Sequence, residues 1–186
     1  GLLYGGLTPE AVKESWERLI LDTNQKITEY GLNLHVSLGT TVTALLLVDG
    51  TYFIINVGDS RAYLLDGGMN QLTVDQTFVQ REVDMGRMTP EEARVSPQRN
   101  VLLQCVGASG VIEPDFYVGQ YRQDQVLMLC SDGFRHVISP SEFYERLNPA
   151  VLTTEERMKE SAVYFTELNK ARNETDNISV ILIRVC

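Results

Sequence analysis

The feature that most constrains this chain is the apolar run Val126–Cys130, which is followed at once by Ser131, Asp132 and Gly133. Five consecutive apolar residues predict a β-strand that is buried on both faces. A carboxylate at the tip of such a strand is held rigidly, and a glycine after it permits a sharp turn or the close approach of a ligand. Taken alone, the pattern fits a functional Asp132, and it also fits an aspartate that caps the next helix or holds a turn.

A second buried strand is predicted at Ile178–Val185, and Asp176 lies just before it. Asp132 follows its strand, whereas Asp176 precedes its own. If the two strands pair antiparallel, both carboxylates lie at the same end of the sheet. Carboxylate oxygens are ligands that Mg²⁺ and Mn²⁺ prefer. The sequence therefore predicts a divalent-cation site at that end, on condition that the strands pair in this way.

Local signals predict a helix and an antiparallel meander in the first part of the chain. Thr8 before Pro9 marks a helix start, and apolar residues at three- and four-residue spacing extend this helix over about 20 residues, to Gly31. The pair Asp49-Gly50 between two strand-like runs predicts a hairpin. The strands of the meander are predicted at residues 37–48, 51–57, 61–65 and 71–73.

Residues 76–100 form a charged excursion between strands, with a helical stretch at 77–85 and a second helix start at Thr89-Pro90. Long excursions of this kind tend to carry binding surfaces or lids. The other predicted elements are strands at 101–106 and within 111–121, and helices at 141–147 and from Thr153 or Thr154 to Asn169.

Composition narrows the class of protein. A chain of 186 residues with 44% hydrophobic and 22% charged residues predicts one globular domain, here residues 1–186. A net charge of −9 argues against a nucleic-acid partner, and no apolar run, Ala44–Val48 included, is long enough to cross a membrane. Cys105, Cys130 and Cys186 show no CxxC spacing. We therefore expect buried, reduced thiols in a cytoplasmic protein.

Taken together, seven sequence blocks resemble the metal-dependent protein phosphatases of type 2C, the PPM family, and above all their bacterial serine/threonine branch. The blocks occur in the family's order over residues 37–185, which makes their combination far more specific than any one of them. They are Gly39-Thr40-Thr41, Val57–Tyr63, Leu72–Asp75, Gly86–Ala93, Pro97–Asn100, Cys130–Gly133 and Asp176–Ser179.

The resemblance implies a fold and a reaction. The fold is α+β, an antiparallel β-sandwich flanked by helices on both faces (αββα). The reaction is hydrolysis of phosphoserine or phosphothreonine in a protein by a metal-bound water, with no protein side chain as nucleophile. Two Mg²⁺ or Mn²⁺ ions, in some members three, lower the pKa of the water and neutralise the phosphoryl charge. The implied partners are a phosphorylated protein substrate and a cognate serine/threonine kinase.

The resemblance also assigns metal ligands. Asp132 and Asp176 match metal ligands of the family, and Asp75 matches a third, weaker metal position that also uses Asp132. His136 stands where members often have an aspartate for that third metal, and imidazole can ligate Mn²⁺. Gln76 stands where histidine or an acid is common, and the 76–100 excursion matches the flap beside the active site that influences substrate choice.

Other matched residues are predicted to have structural roles. Asp59 and Arg61 are expected to form a turn and an ion pair rather than to take part in catalysis, and Asn177 is expected to brace the turn that aims Asp176. Ser131 has no base near it in sequence, which argues against a nucleophile. The structural motif residues are Gly58, Asp59, Ser60, Arg61, Gly133 and Asn177.

Two motifs that precede the matched region in the family are absent from this sequence. They are a strand with a phosphate-gripping arginine and an Asp-Gly-x-Gly motif whose aspartate bridges both metals, and Gly1–Gly6 contains neither an acid nor an arginine. Two hypotheses follow: an N-terminally incomplete piece of a working phosphatase, or a non-catalytic phosphatase-like regulatory or binding module. Because metal affinity rises with ligand number, we expect weak or no activity. We also expect exposed sheet edges that favour a homodimer.

Overall fold

A computed structural model describes residues 7–186, so the opening Gly1–Gly6 lies outside the described residues. Within this range the chain forms seven β-strands and six α-helices. The strands are β1 (Val42–Val48), β2 (Thr51–Val57), β3 (Arg61–Leu65), β4 (Met69–Gln71), β5 (Asp115–Gln120), β6 (Val126–Cys130) and β7 (Val180–Arg184). The helices are α1 (Pro9–Leu34), α2 (Phe78–Asp84), α3 (Pro90–Val95), α4 (Asp132–Arg135), α5 (Pro140–Leu147) and α6 (Glu155–Ala171).

The chain divides into two compact units, and each contains one sheet. The first unit comprises the residues up to Asp59 together with Asp75–Gly119, and its sheet has the strand order β1-β2-β5. The second comprises Ser60–Val74 and Gln120–Cys186, and its sheet has the order β4-β3-β6-β7. The predicted α+β class, with two antiparallel sheets flanked by helices, is confirmed.

Helix α1 begins where the sequence predicts but ends later. The Thr8 hydroxyl accepts a hydrogen bond from the Ala11 N–H, which caps the first turn. The predicted end at Gly31 is wrong, because the helix continues to Leu34 and closes at His35, which has a positive φ of 57°. Gly31 is needed for a close approach instead. A Cβ at this position would stand 2.7 Å from the carbonyl oxygen of Val36, where the chain turns back.

The β1–β2 hairpin is confirmed in register. Val48 pairs with Thr51, and both turn residues, Asp49 and Gly50, have positive φ, as a two-residue hairpin turn requires. Strand β2 lies in the middle of its sheet and is mostly buried, whereas β1 lies at the edge and is half-buried. The core of this unit joins α1 to the sheet through Ile20, Ile55, Val57, Val106 and Ile112.

The predicted single meander is wrong. Strand β3 pairs with β4 and β6 in the second sheet, not with β2. Residues 58–60 therefore lead from one sheet to the other rather than forming a hairpin turn. The predicted strand at 101–106 is also wrong, since these residues make only the isolated pairings of Val106 with Thr40 and of Leu102 with Thr77.

Strand β6 is the central element of the second unit, as predicted. It pairs with both β3 and β7, and Val126, Leu127 and Met128 are at most 1% exposed. Strand β7 is shorter than the predicted 178–185 run, and the prediction that it is buried is wrong. It lies at the sheet edge, and Ile181 is 58% exposed. Phe134, Phe143 and Phe165 lie in the core of this unit, where Phe134 stacks on Phe143 and the ring of Phe165 meets Phe134 edge-on.

Helices α2, α3, α5 and α6 begin near the positions that the sequence predicts, whereas the short helix α4 was not predicted. Thr77, Thr89, Ser139 and Thr154 each accept a hydrogen bond from the backbone of the first turn, and Thr89 and Ser139 form complete capping boxes. Between residues 7 and 186, no helix is long and apolar enough to cross a membrane. The expectation of three buried thiols is wrong in part, because Cys130 is buried, Cys105 is partly exposed and Cys186 is exposed.

Candidate metal centre at the end of strands β6 and β7

The antiparallel pairing on which the predicted site depends is confirmed. Cys130 pairs with Val180, so Asp132 and Asp176 flank the same end of this strand pair. Gly133 brings their two segments into contact. A Cβ on Gly133 would stand 2.7 Å from the carbonyl oxygen of Asn177 and 3.1 Å from the Cβ of Asp176. Only glycine leaves room for this approach.

Ser131 fastens the two strand ends together. Its backbone N–H donates to the carbonyl oxygen of Ser179 at 3.0 Å. Its hydroxyl donates to the carbonyl oxygen of Asn177 at 3.0 Å and accepts from the Ser179 N–H at 3.0 Å. Sequence reasoning set Ser131 aside as a nucleophile but missed this role, since its partners lie far away in the chain.

Each aspartate has one oxygen fixed by the backbone that follows it. Asp132 Oδ1 accepts from the Gly133 N–H at 2.8 Å, and Asp176 Oδ1 accepts from the Asn177 N–H at 2.7 Å. The side chain of Asp132 is 18% exposed, and Asp176 is exposed. Asn177 thus braces this turn through its backbone N–H and carbonyl groups. The second oxygen, Oδ2, of Asp132 faces His136 across 3.8 Å.

Glu174 is a site residue that sequence reasoning missed. Its Oε1 accepts from the N–H groups of Thr175 and Asp176, both at 2.9 Å, and its Oε2 lies 3.5 Å from His136 Nδ1. The side chain of Glu174 is 7% exposed and that of His136 is 17% exposed. The signal that could have identified Glu174 is an acid two positions before a predicted ligand, where a carboxylate can accept the next backbone N–H groups.

The donor set fits part of a divalent-cation site. Asp132 and Asp176 supply the hard oxygen donors that Mg²⁺ and Mn²⁺ prefer. Across the part of the chain that the structure describes, no three Asp, Glu, His or Cys side chains stand close enough to form a complete metal-binding group. The two aspartates are therefore an incomplete but chemically suitable set.

Asp75 lies in the first unit, whereas Asp132, Asp176 and His136 lie in the second. Asp75 is 9% exposed. The next residue, Gln76, holds this segment in place. Its Oε1 accepts from the Gly58 N–H at 2.9 Å, and its Nε2 donates to Asp115 Oδ2 at 2.9 Å.

The motif at residues 58–61 is well ordered by local contacts. Gly58 has a φ of 106°, and a Cβ there would stand 2.3 Å from Thr41 Cγ2, so glycine is required. Arg61 opens β3 and donates to the Tyr63 hydroxyl at 3.1 Å. Burial raises the pKa of Tyr63, and Arg61 opposes that rise. Asp59 and Ser60 are half-buried.

Two antiparallel sheets flanked by helices, with two aspartates at one sheet end, define the class of metal-dependent protein phosphatases. Residues 7–103 match the family model of protein phosphatase 2C. Over 182 residues the chain is 33% identical to the serine/threonine phosphatase Stp of Listeria innocua, covering 95% of this chain and 69% of that protein. The chain belongs to the protein phosphatase 2C family.

Solved structures agree with this assignment. The S. agalactiae serine/threonine phosphatase superposes with a TM-score of 0.86 at 29% identity, over 98% of this chain and 74% of that one. The catalytic domain of the phosphatase PstP, solved in complex with two manganese ions, superposes with a TM-score of 0.72 at 33% identity, over 86% of this chain and 65% of that one. These solved structures thus support the fold and the metal dependence of the family that the resemblance implied.

Proposed function

We propose that this chain hydrolyses phosphoserine and phosphothreonine in proteins with the help of divalent cations that Asp132 and Asp176 ligate. The observation that carries the proposal is the antiparallel β6–β7 pairing, with Gly133 packed against Asp176. This pairing brings two hard oxygen donors to one sheet end in a chain of the protein phosphatase 2C family.

The residues of the chain have distinct tasks in this proposal. Asp132 and Asp176 hold the cation, Ser131 and Gly133 keep their backbones together, and Asp75 is a weaker candidate ligand. When bound, the cations lower the pKa of water and neutralise phosphoryl charge. Carboxylates bind both Mg²⁺ and Mn²⁺. His136 beside Asp132 favours Mn²⁺, because imidazole is a better ligand for Mn²⁺ than for Mg²⁺.

The test is Mn²⁺-dependent hydrolysis of a phosphothreonine peptide by the chain and by Asp132→Asn. The amide keeps the size of the side chain but removes its charge, so we expect the turnover to disappear. Asp22→Asn, at an exposed position on α1, is the matched control and should leave turnover unchanged. Equal activity of the chain and Asp132→Asn would overturn the assignment of Asp132.

We expect the activity of the chain to be weak, because the two carboxylates supply few ligands and little charge for two cations. The incomplete donor set also favours a second candidate, a non-catalytic module that binds phosphoproteins. Phosphopeptide binding without turnover at saturating Mn²⁺ would favour that module. Turnover that Asp132→Asn abolishes would exclude it.

The partners follow from the same proposal. The substrate is a phosphorylated protein, a cognate serine/threonine kinase supplies it, and residues 76–100 act as the flap that influences substrate choice. We propose that residues 1–186 act as a single phosphatase-like domain.

The role of the flap can be tested directly. Exchanging the exposed α2–α3 connection, residues 85–89, for a glycine-serine linker should change the relative rates on two phosphopeptides more than it changes Mn²⁺ affinity.

A homodimer through sheet edges is a separate proposal. β1 and β7 end their sheets, and among residues 7–186 no strand pairs with their outer edges. Such edges can pair with a second copy. Size-exclusion chromatography with light scattering tests this, and a monomer at all concentrations would contradict it.

A further inference from the structure

We propose that Glu174 is the positioning residue that couples the two proposed ligands, by fixing the backbone that presents Asp176 and the imidazole that faces Asp132. The inference rests on the proposed function, because it concerns the same cation site. Glu174 belongs to no block of the sequence pattern, and its carboxylate contacts both halves of the site.

The first half of the argument concerns the loop before β7. One carboxylate oxygen of Glu174 accepts both the Thr175 and the Asp176 N–H, at 2.9 Å each. Hydrogen bonds to an ionised acceptor are stronger than neutral ones, and a side chain that is 7% exposed is shielded from water. These two bonds fix the backbone from which the Asp176 carboxylate projects.

The second half concerns His136. The other oxygen of Glu174 lies 3.5 Å from Nδ1, and Asp132 Oδ2 lies 3.8 Å from Nε2. The imidazole is thus held between two carboxylates. The Glu174 carboxylate beside Nδ1 orients the ring so that its Nε2 edge faces Asp132. Histidines at metal sites are oriented by an outer carboxylate in the same manner.

Glu174 is itself anchored to the helices. Its N–H donates to the carbonyl oxygen of Asn169 at 3.0 Å. The Asn169 side chain, which is fully buried, donates to the carbonyl oxygen of Phe134 in α4 at 2.9 Å. The last turn of α6 therefore anchors the loop that carries Glu174. The two carboxylate oxygens of Glu174 then contact the loop of Asp176 on one side and the ring beside Asp132 on the other.

Two variants separate positioning from a merely structural role. Glu174→Gln keeps an oxygen for the two N–H groups but removes the charge that faces His136. Glu174→Ala removes both the oxygen that accepts the two N–H groups and the charge that faces His136. Glu160→Ala, on the exposed side of α6, is the matched control. The readouts are Mn²⁺ affinity by calorimetry, amide exchange at Thr175 and Asp176, and the ¹⁵N signals of the His136 ring.

We expect Glu174→Ala to weaken Mn²⁺ binding by about 10-fold, as removal of an outer-shell partner does, and to speed exchange of both amides. Glu174→Gln should keep the slow amide exchange and most of the Mn²⁺ affinity of the wild type while shifting the ¹⁵N signals of the His136 ring. Glu160→Ala should match the wild type in every readout.

The inference is overturned if Glu174→Ala leaves Mn²⁺ affinity within about twofold of wild type and amide exchange unchanged. If the wild type binds no Mn²⁺ and hydrolyses nothing, the proposed function fails, and amide exchange with the His136 signals still decides the role of Glu174. If Glu174→Ala does not fold, Glu174→Gln decides it, because an unchanged His136 signal would contradict the coupling.

Discussion

Gly133 lies so close to Asp176 that no side chain fits between them, although the two residues belong to different strand ends. A Cβ on Gly133 would approach the Cβ of Asp176 to 3.1 Å and the carbonyl oxygen of Asn177 to 2.7 Å. The position after Asp132 therefore has to be glycine for both aspartates to reach one end of the sheet. The glycine at this position therefore links the local sequence to the geometry of the site more directly than Asp132 or Asp176 does alone.

Gly133→Ala should therefore disturb both stability and the site. The added methyl group meets backbone atoms that cannot rotate away, so we expect a loss of roughly 1–3 kcal/mol in the free energy of unfolding. Urea unfolding measures this loss, and calorimetry should show weaker Mn²⁺ binding. Gly68→Ala is the control, since nothing lies within 4 Å of its Cβ position. Equal stability of Gly133→Ala and wild type would contradict the contact.

Ser131→Ala should weaken the site without abolishing catalysis. The change removes the hydroxyl that donates to Asn177 and accepts from Ser179. We expect a loss of about 1–2 kcal/mol in the free energy of unfolding, because two backbone groups lose a partner. Residual Mn²⁺-dependent turnover distinguishes a fastening role from a nucleophile. Complete loss of turnover in a variant that still binds Mn²⁺ would contradict the fastening role.

Glu142 gives the fold a pH dependence that can be measured. Arg172 donates hydrogen bonds to its carboxylate, the Ser139 N–H and hydroxyl add others, and together they lower its pKa from 4.5 to about 2. Because the folded state lowers this pKa, the ion pair stabilises the protein above pH 4.5. That stabilisation is lost as the pH falls from 4.5 towards about 2.

Glu142→Gln isolates this effect, since glutamine still caps α5 but carries no charge. We expect a lower Tm than wild type at neutral pH and a difference that narrows as the pH falls below 4.5. Glu145→Gln, on the same helix, is the control and should follow the wild type. A Tm difference that stays constant down to low pH would show that the charge of Glu142 does not stabilise the fold.

Short-range chemistry explains why much of the fold was predictable. Thr8, Thr77 and Ser139 cap helices through N–H groups three residues away, and Asp49-Gly50 forms its turn within two residues. The strand that positions Asp132 could also be predicted, because the apolar run of β6 identified it. The antiparallel pairing of β6 with β7 could then be inferred from the two apolar runs alone.

The errors arise where distant residues decide the outcome. Glycine is typical of a helix end, but Gly31 lies inside α1. Its lack of a side chain makes room for the carbonyl oxygen of Val36, where the chain turns back. Strand β3 follows β2 closely, yet β6 supplies its partner. The contact of Glu174 with His136 could not be predicted, because His136 is close in space and far in sequence. No local pattern contains these contacts.

Gln76→Leu tests the brace beside Asp75. Leucine fills a similar volume but accepts no hydrogen bond, so the buried N–H of Gly58 and the carboxylate of Asp115 lose their side-chain partner. A buried polar group left without a partner costs about 1–3 kcal/mol, and we expect a loss of that size in urea unfolding. Gln80→Leu, on neighbouring helix α2, should change stability little, because the hydrogen bond of the Gln80 side chain to Asp84 is exposed to water. If Gln76→Leu were as stable as Gln80→Leu, the hydrogen bonds of Gln76 would not be what holds the segment of Asp75 in place.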